Sequence, residues 1–211
     1  MKLLEALKAE LGFALPGRDA HLSMVPVGRE PIETPSVKRN AAVSIVIIDR
    51  PEQNHEIIFI KRSEYDGPHS DQVSFPGGKQ ETTDCNLTDT AIRECYEETG
   101  LELKIENLAG TLTPLYISVS KFMVFPYIFI FDQMPNFNTD PLEVNYIIRF
   151  PLNQLMDEDL KQHKIIEIAD QKIEVPYYAI NNEVVWGATA MILSELIEIL
   201  KRIKKKDPEL I

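Results

Sequence analysis

Three glutamates crowded onto one helix face constrain this chain more than any other feature. The segment from Phe75 to Leu101 reads FPGGKQETTDCNLTDTAIRECYEETGL, with Glu94, Glu97 and Glu98 near its end. On a helix these carboxylates fall within an arc of roughly 100°. Like charges so close repel one another, and a hard cation such as Mg²⁺ relieves the repulsion because it prefers carboxylate, water and phosphate oxygens. The pattern predicts a site for a divalent metal and a phosphate-bearing ligand; the alternative is a solvated acidic helix face.

The same segment resembles the signature of the Nudix hydrolases, which cleave diphosphates linked to a further group. That signature runs from a glycine through an upstream acid to Arg-Glu-apolar-x-Glu-Glu-x-Gly-apolar. The residues that match it are Gly78, Arg93, Glu94, Cys95, Glu97, Glu98, Gly100 and Leu101. The resemblance implies an α/β fold, a Nudix-type α/β/α sandwich with a mixed sheet, and Mg²⁺ or Mn²⁺ as the cofactor.

The resemblance also implies roles for the matched residues. Glu94 and Glu98, four residues apart, are expected to be the principal metal ligands, and Glu97 can join them from the same face. The Gly78 carbonyl is expected to face the metal, since a glycine lets the backbone approach a ligand closely. Arg93 is expected to orient the glutamates through charge-assisted hydrogen bonds.

The spacing between the glycine and the arginine of the signature is unusual. Fourteen residues separate Gly78 from Arg93, whereas the common pattern has thirteen. The upstream acid is therefore either Asp84 or Glu81, and Asp84 alternatively serves as a helix cap or a first-turn acid. One extra residue and two acids resemble the branch that includes coenzyme A diphosphatases.

The loop before the signature resembles the same branch. The matching residues of KRSEYDGPHSDQVSFPGG are Arg62, Ser63, His69, Gln72 and the Pro-Gly-Gly. Gly67 and Asp71 depart from the branch, which has an arginine and a glycine at these positions. The missing arginine could have held a substrate phosphate, so the two departures favour an ADP-ribose-like or dinucleotide substrate as the rival. His69 is alternatively a hydrogen-bonding loop residue.

Residues 38 to 200 are collinear with this branch through the later segments PLYISVSKFMVFPYI, PLEVNYIIRFPLNQL and WGATA. In the second of them, Glu143 is a candidate catalytic base or extra metal ligand, with a surface loop acid as the alternative. Candidate phosphate partners are Arg62, Lys79, Lys121 and Arg149, and Lys79 follows the Gly-Gly pair directly. The expected substrate-binding residues are Arg62, His69, Gln72 and Lys79.

Composition limits the other classes of function. A net charge of −11 argues against a general nucleic-acid binder, and no apolar run approaches the ~20 residues of a membrane span. Cys85 and Cys95 offer no disulfide framework, and acids interrupt the apolar N-terminal run, which therefore does not resemble a signal peptide. We expect a cytoplasmic protein with a small-molecule substrate. A homodimer is left open, as is whether the N-terminal helix packs in cis or in trans.

Periodicity predicts the elements that carry these motifs. An amphipathic helix over 2–13 and a loop over 18–38 give an N-terminal extension of residues 1–37 before a Nudix hydrolase domain at 38–211. A helix is predicted over 187–205, at the end of the domain. We interpret its basic KRIKKK end as a solvated helix C-terminus, which basic residues stabilise, rather than as a nucleic-acid-binding site. Strands are predicted at 41–49, 56–61, 108–115, 123–131 and 145–149, then a meander over 165–186 with turns at 169–170 and 181–182.

These expectations describe a metal-dependent hydrolase that cleaves the diphosphate linkage of a nucleoside-diphosphate derivative, first of all coenzyme A or an acyl-coenzyme A. The alternative within the family is an ADP-ribose, dinucleotide or nucleoside-triphosphate pyrophosphatase. The alternative of another class is a non-catalytic Nudix-fold binding module, although such modules often lose signature glutamates and this chain retains all three. The expected catalytic residues are Arg93, Glu94, Glu97, Glu98 and Glu143, with Gly78, Glu94, Glu97 and Glu98 at the metal.

Overall fold

The structure, a computed structural model, describes residues 2–26, 39–50, 55–64, 70–132, 135–168 and 171–211. Within these ranges no helix has both the length and the apolar character needed to cross a membrane. The helices are α1 (Lys2–Leu11), α2 (Gly17–Leu22), α3 (Leu87–Thr99) and α4 (Gly187–Lys206), with short 3₁₀ helices at Ile105–Asn107, Leu152–Met156 and Glu158–Leu160. The strands are β1 (Arg39–Ile48), β2 (Glu56–Arg62), β3 (Val73–Ser74), β4 (Gly77–Lys79), β5 (Leu108–Thr111), β6 (Leu115–Ile117), β7 (Phe122–Phe131), β8 (Val144–Pro151), β9 (Lys161–Ile168), β10 (Gln171–Ile180) and β11 (Glu183–Trp186).

A mixed sheet forms the middle layer of the fold. β1 lies at its centre and pairs in parallel with β7, from Arg39 opposite Phe122 to Ile48 opposite Phe131. The other pairings described in this sheet are antiparallel: β2 and β4 share the opposite edge of β1, β3 and β8 pair with β2, and β5 and β6 pair with β7. The strands β9, β10 and β11 form a separate antiparallel meander.

Helices cover both faces of the mixed sheet. On one face, Ala42 and Val46 of β1 form a buried cluster with Ala91 and Cys95 of α3. The opposite face packs against α1, α4 and the β9–β11 meander, and its buried residues include Leu3, Leu7, Ile45, Ile180 and Leu196. This three-layer arrangement confirms the predicted α/β/α sandwich with a mixed sheet.

The structure departs from the local sequence pattern at two places in the mixed sheet. A Pro-Gly-Gly segment favours a turn locally, but Gly77–Lys79 is a strand, because Gly77 and Gly78 lie opposite Val43 and Ala42 of β1. The strand predicted over 108–115 is divided into β5 and β6, and between them the Leu112 N–H donates to Pro126 O at 3.0 Å. The turn predicted at 181–182 is present, with both asparagines in the left-handed region at φ 48° and 67°.

The N-terminal segment also differs from the prediction. α1 ends at Leu11 rather than near residue 13, and α2 lies in the stretch that was expected to be loop. Leu3 and Leu7 of α1 are buried in the same cluster as Leu196 of α4. The N-terminal helix therefore packs in cis.

A buried carboxylate joins α2 to α4. Glu195 Oε1 accepts hydrogen bonds from the Gly17 N–H at 3.0 Å and from the Thr113 hydroxyl at 2.7 Å. Its Oε2 accepts from the Thr113 N–H at 3.1 Å and lies 3.0 Å from His21 Nε2. Burial alone would raise the pKa of Glu195, but these partners outweigh it and hold the pKa below its ordinary value. Glu195 is thus an ionised anchor for the N-terminal segment.

Replacement of Glu195 by alanine is expected to lower the free energy of unfolding by about 2–4 kcal/mol, because buried donors of Gly17 and Thr113 lose their acceptor. Urea denaturation at pH 7 measures this loss. Glu198→Ala is the matched control on α4. The Glu198 side chain is 49 % exposed and pairs with Lys201, so its removal should change stability by less than about 0.5 kcal/mol. Equal losses in the two variants would contradict the anchoring role.

Candidate active site

The signature glutamates lie on α3, whose two ends are fixed by Asn86 and Gly100. Asn86 Oδ1 accepts hydrogen bonds from the N–H groups of Thr88 at 2.8 Å and Asp89 at 3.0 Å, so Asn86 caps the helix. The alternative in which Asp84 is the cap is therefore wrong. Gly100 follows the helix with φ 75°, in the left-handed region that favours glycine.

Glu98 is the most deeply buried carboxylate of the signature, with its side chain 2 % exposed. Its Oε1 accepts from the Arg62 guanidinium at 2.9 Å, and its Oε2 accepts from the Gly77 N–H at 2.8 Å. Burial raises the pKa of Glu98 to about 7, although Arg62 and the Gly77 N–H favour the ionised form. Arg62, a predicted substrate ligand, is thus paired with Glu98, while its own Nε is buried and finds no hydrogen-bond partner in the described part of the chain.

Arg93 contacts the other two glutamates of the signature. Its Nη1 donates to Glu94 Oε1 and to Glu97 Oε2, each at 2.9 Å. Burial raises the pKa of Glu94; Arg93 opposes this effect, and the charges of Glu97 and Glu143 add to it. Glu94 is mostly buried, whereas half of the Glu97 side chain is exposed. Arg93 therefore lies between the two carboxylates and sets their separation.

Asp84 holds Arg93 from the other side. Arg93 Nε and Nη2 donate to the two oxygens of Asp84 at 2.9 and 3.0 Å, and the Asp84 side chain is only 4 % exposed. It also accepts from the Thr90 hydroxyl and the Glu81 N–H, each at 2.9 Å. The Arg93 guanidinium holds the pKa of Asp84 well below its usual range. The Glu81 side chain is half-exposed and lies 3.9 Å from Lys79 Nζ, so Asp84 is the acid that contacts the signature.

The two glycines of β4 allow α3 to approach the sheet closely. A Cβ atom on Gly77 would lie 2.3 Å from Ala42 O, and one on Gly78 would lie 2.4 Å from Glu94 Oε2. Neither position accepts a side chain unless β1 or the Glu94 carboxylate moves. The backbone at Gly78 is therefore in direct contact with a carboxylate of the signature.

Two further predicted site residues lie beside this group. The carbonyl oxygen of Glu143 accepts a hydrogen bond from the Ser63 N–H at 2.9 Å. The negative charge of the Glu143 side chain raises the pKa of Glu94. The carbonyl oxygen of Gln72 accepts from the Arg62 N–H at 3.0 Å. The structure thus brings Glu143 and Gln72 close to the residues that hold the signature glutamates.

Other predicted residues contribute differently. The Lys79 side chain is 68 % exposed and points toward Glu81, while its carbonyl accepts from Arg93 Nη2 at 3.1 Å. Arg149 does not face the signature, because it pairs with Glu56 at the far end of β2. Lys121 lies in the turn before β7 with φ 59°. His69 and Gly67 lie outside the described residues.

Asp71, one of the two departures from the coenzyme A branch, keeps a glycine-like backbone. Its φ is 55°, in the left-handed region where a glycine is favoured and aspartate is among the better-tolerated alternatives. Its carboxylate lies 2.9 Å from Lys61 Nζ. Asp71 therefore reproduces the backbone geometry that a glycine would supply there.

The carboxylates suit a hard divalent cation in their chemistry, since they offer only oxygen donors. Among the described residues, no group of three histidine, cysteine or acidic side chains lies close enough together to hold a metal ion. Arg62 and Arg93 hold carboxylate oxygens of the three glutamates instead. The oxygens of these glutamates are the predicted metal ligands, so they would be free to hold such an ion after the arginine side chains release them.

Comparison with known protein families identifies the family of this chain. The protein-family model described as NUDIX domain matches residues 38–169. The chain belongs to the Nudix family. As predicted, it is a hydrolase of phosphoanhydrides, and Nudix hydrolases act on small nucleotide-derivative substrates and generally use divalent ions such as Mg²⁺ or Mn²⁺.

Relatives in sequence and structure agree with this assignment. The uncharacterized Nudix hydrolase NudL of Yersinia pestis (strain Pestoides F) is 31 % identical over 165 residues, which cover 77 % of this chain and 80 % of that protein. The MutT/nudix family protein from Enterococcus faecalis superposes with a TM-score of 0.54 at 14 % identity, covering 86 % of this chain and 69 % of that one. The MutT protein from Methanosarcina mazei Go1 gives 0.50 at 14 % identity, covering 83 % and 98 %. These solved structures confirm the Nudix fold.

Sequence reasoning missed two residues that shape the site. Asn86 carried a usable signal, because an asparagine with an acid three residues later is typical of a helix start. The sequence around Gly77 gave no such signal, since the Gly77 N–H reaches Glu98 only after β4 has paired with β1.

The metal-free protein is expected to lose stability as pH rises, because the pKa of Glu98 rises on folding from 4.5 to about 7. The folded state then binds the proton more tightly than the unfolded state, so the contribution is greatest at low pH and is lost through pH 7. Between pH 5 and 8, wild type should lose roughly 2–3 kcal/mol relative to Glu98→Gln in urea denaturation with EDTA. Added Mg²⁺ at pH 8 should raise the Tm of wild type more than that of Glu98→Gln. A difference between the two proteins that does not change with pH contradicts the assignment.

Asp84→Asn is expected to lower the free energy of unfolding by about 1–3 kcal/mol, because Arg93 loses its charged partner. Glu81→Gln is the control and should have an effect below about 0.5 kcal/mol, since its carboxylate is exposed. The pKa of Asp84 falls on folding, so its contribution is present above its unfolded value of 3.8 and is lost as pH falls further. Urea denaturation at pH 7 and pH 3 measures the free energy of unfolding of both variants. A destabilisation by Asp84→Asn that is larger at pH 3 than at pH 7 contradicts the proposed ion pair with Arg93.

Proposed function

We propose that this Nudix hydrolase is a Mg²⁺- or Mn²⁺-dependent diphosphatase whose substrate is coenzyme A or an acyl-coenzyme A. The observation that carries the reaction is the placement of Glu94 against the backbone of Gly78, with Glu97 and Glu98 on the same helix. A divalent ion bound to these oxygens neutralises phosphate charge and makes a bound water more acidic. The products are phosphopantetheine and adenosine 3′,5′-bisphosphate.

Each residue of the site has a proposed role. Glu94, Glu97 and Glu98, with the Gly78 carbonyl, hold the ion, and Arg93 orients the first two glutamates. Glu143 accepts the proton of the attacking water, because it is an exposed carboxylate whose charge acts on Glu94.

The substrate-binding group is proposed to consist of Arg62, Gln72, Lys79 and His69. Arg62 carries the strongest argument, since its guanidinium lies beside Glu98 and no residue among those the structure describes accepts a hydrogen bond from its Nε. A phosphate oxygen is an acceptor that suits this nitrogen.

Coenzyme A is favoured over an ADP-ribose-like or dinucleotide substrate by the segment before β4. Arg62 and Gln72, which match the coenzyme A branch, are joined by a backbone hydrogen bond of 3.0 Å at the edge of the site. Asp71 departs from the branch in identity but retains the left-handed backbone of a glycine. One of the two departures therefore no longer weighs against coenzyme A.

The proposal extends to location and assembly. Cys85 and Cys95 are free thiols, which suits the reducing cytoplasm. A homodimer is proposed from the resemblance alone, and light scattering after size exclusion tests it.

The test is a panel of substrates, each assayed with Mg²⁺ or Mn²⁺: coenzyme A, acetyl-coenzyme A, ADP-ribose, diadenosine polyphosphates and nucleoside triphosphates. Wild type should cleave the coenzyme A substrates with the highest kcat/KM. Glu98→Gln should lose roughly two or more orders of magnitude in kcat, because a ligand of the ion is lost. Glu198→Gln, an exposed carboxylate on α4, is the control and should retain wild-type activity.

The outcomes separate the parts of the proposal. Cleavage of ADP-ribose without cleavage of coenzyme A overturns the substrate. Full activity in Glu98→Gln overturns the metal assignment. If no diphosphate is cleaved at high enzyme concentration, the proposed reaction itself is overturned. Hydrolysis in ¹⁸O-labelled water identifies the phosphorus atom that is attacked.

A further inference from the structure

The loop of residues 138–143, which carries Glu143, is attached on both sides of the Arg62–Glu98 ion pair, in which the Glu98 side chain is buried. At one end, the Asn138 N–H donates to Thr99 O at 2.9 Å, and Thr99 is the residue after Glu98. At the other end, the Ser63 N–H donates to Glu143 O at 2.9 Å, and Ser63 is the residue after Arg62. The position of this loop is therefore tied to the position of the ion pair.

The end of the signature is shaped to receive the 138–143 loop. A Cβ atom on Gly100 would lie 2.9 Å from the N and Cβ atoms of Asn138. The glycine therefore serves two purposes: its φ of 75° ends α3, and its missing side chain admits the loop.

Hydrogen bonds within the loop close it into a turn. The carbonyl oxygen of Asp140 accepts from the N–H groups of Glu143 at 3.0 Å and Val144 at 2.8 Å, and its Oδ1 accepts from the Leu142 N–H at 2.9 Å. The Ser63 hydroxyl donates to Pro141 O at 2.9 Å. Asp140 thus fixes the shape of the turn, and Ser63 fixes its place on β2.

The carboxylate of Glu143 depends on this backbone arrangement. No hydrogen bond or ion pair between described residues holds the carboxylate itself, although its charge acts on Glu94. The loop therefore sets the backbone position from which the Glu143 side chain extends.

We infer that Ser63 and Asp140 are positioning residues for the hydrolysis, which act by holding the 138–143 loop so that Glu143 faces the carboxylates of α3. The inference rests on the proposed function, and within it on the role of Glu143. Neither Ser63 nor Asp140 touches the reacting atoms. Their effect on the rate passes through Glu143.

Two pairs of variants test this inference with the substrate that wild type cleaves best. Ser63→Ala removes the donor to Pro141 O, and Ser63→Thr retains a hydroxyl. Asp140→Ala removes the acceptor of the Leu142 N–H, and Asp140→Asn retains an oxygen. We expect roughly tenfold lower kcat in both alanine variants with little change in KM, because a displaced catalytic group slows the step without weakening binding. The threonine and asparagine variants should recover most of the activity.

A double-mutant cycle distinguishes positioning from a general structural effect. Once Glu143→Gln has removed the carboxylate, adding Ser63→Ala should cause no further loss of kcat, because the loop no longer carries a catalytic group. Ser194→Ala is the control: it removes a buried hydroxyl on α4 that donates to Ala20 O at 2.8 Å, and it should lower stability while leaving kcat unchanged.

Several results would overturn the inference. Additive losses in the double variant show that Ser63 acts independently of Glu143. Unchanged kcat in both Ser63→Ala and Asp140→Ala shows that the loop needs no such support. Full activity in Glu143→Gln overturns the inference and the proposed role of Glu143 but leaves the proposed reaction standing, whereas an inactive wild type overturns all three.

Discussion

The distance between α3 and the sheet is the constraint on which the site depends, and the backbone of β4 sets it. Gly77 and Gly78 lie where any Cβ atom would collide with β1 or with the Glu94 carboxylate. Beneath the helix, Ser44 of β1 uses its hydroxyl to reach Ala91 O at 2.7 Å, so small residues line this contact. This closeness places the Gly77 N–H within reach of Glu98, and a bulkier strand would hold the helix away.

Arginine side chains balance the acidic group that this contact creates. Four carboxylates meet two guanidinium groups, so the group carries two negative charges in excess when every acid is ionised; its members are Asp84, Glu94, Glu97, Glu98, Arg62 and Arg93. A buried carboxylate without a partner is costly, and the arginines reduce that cost while the protein is free of metal. The remaining excess equals the charge of one divalent ion. The arrangement therefore keeps its carboxylates in place without satisfying them fully.

The sequence predicted those parts of the fold and the site that depend on local pattern. α3, β1, β2, β7 and the last helix follow from periodicity and composition, and the three glutamates follow from their spacing on one helix. Contacts between distant segments could not be predicted in this way. Gly-Gly pairs favour turns locally, and β4 becomes a strand only because β1 lies beside it. Glu195 likewise finds Gly17 and Thr113 only after the fold has brought three separate segments together.

A departure from a family pattern changes function only where the physical role of the residue is lost. At Asp71 the role is a left-handed backbone, and aspartate keeps it while its carboxylate pairs with Lys61. At Gly67 the coenzyme A branch that the sequence resembles has an arginine, and a glycine carries no charge to replace it. The proposed coenzyme A substrate therefore requires another cation for the phosphate that this arginine could have held. Arg62 is the proposed cation, because it lies beside Glu98 and no described residue accepts a hydrogen bond from its buried Nε.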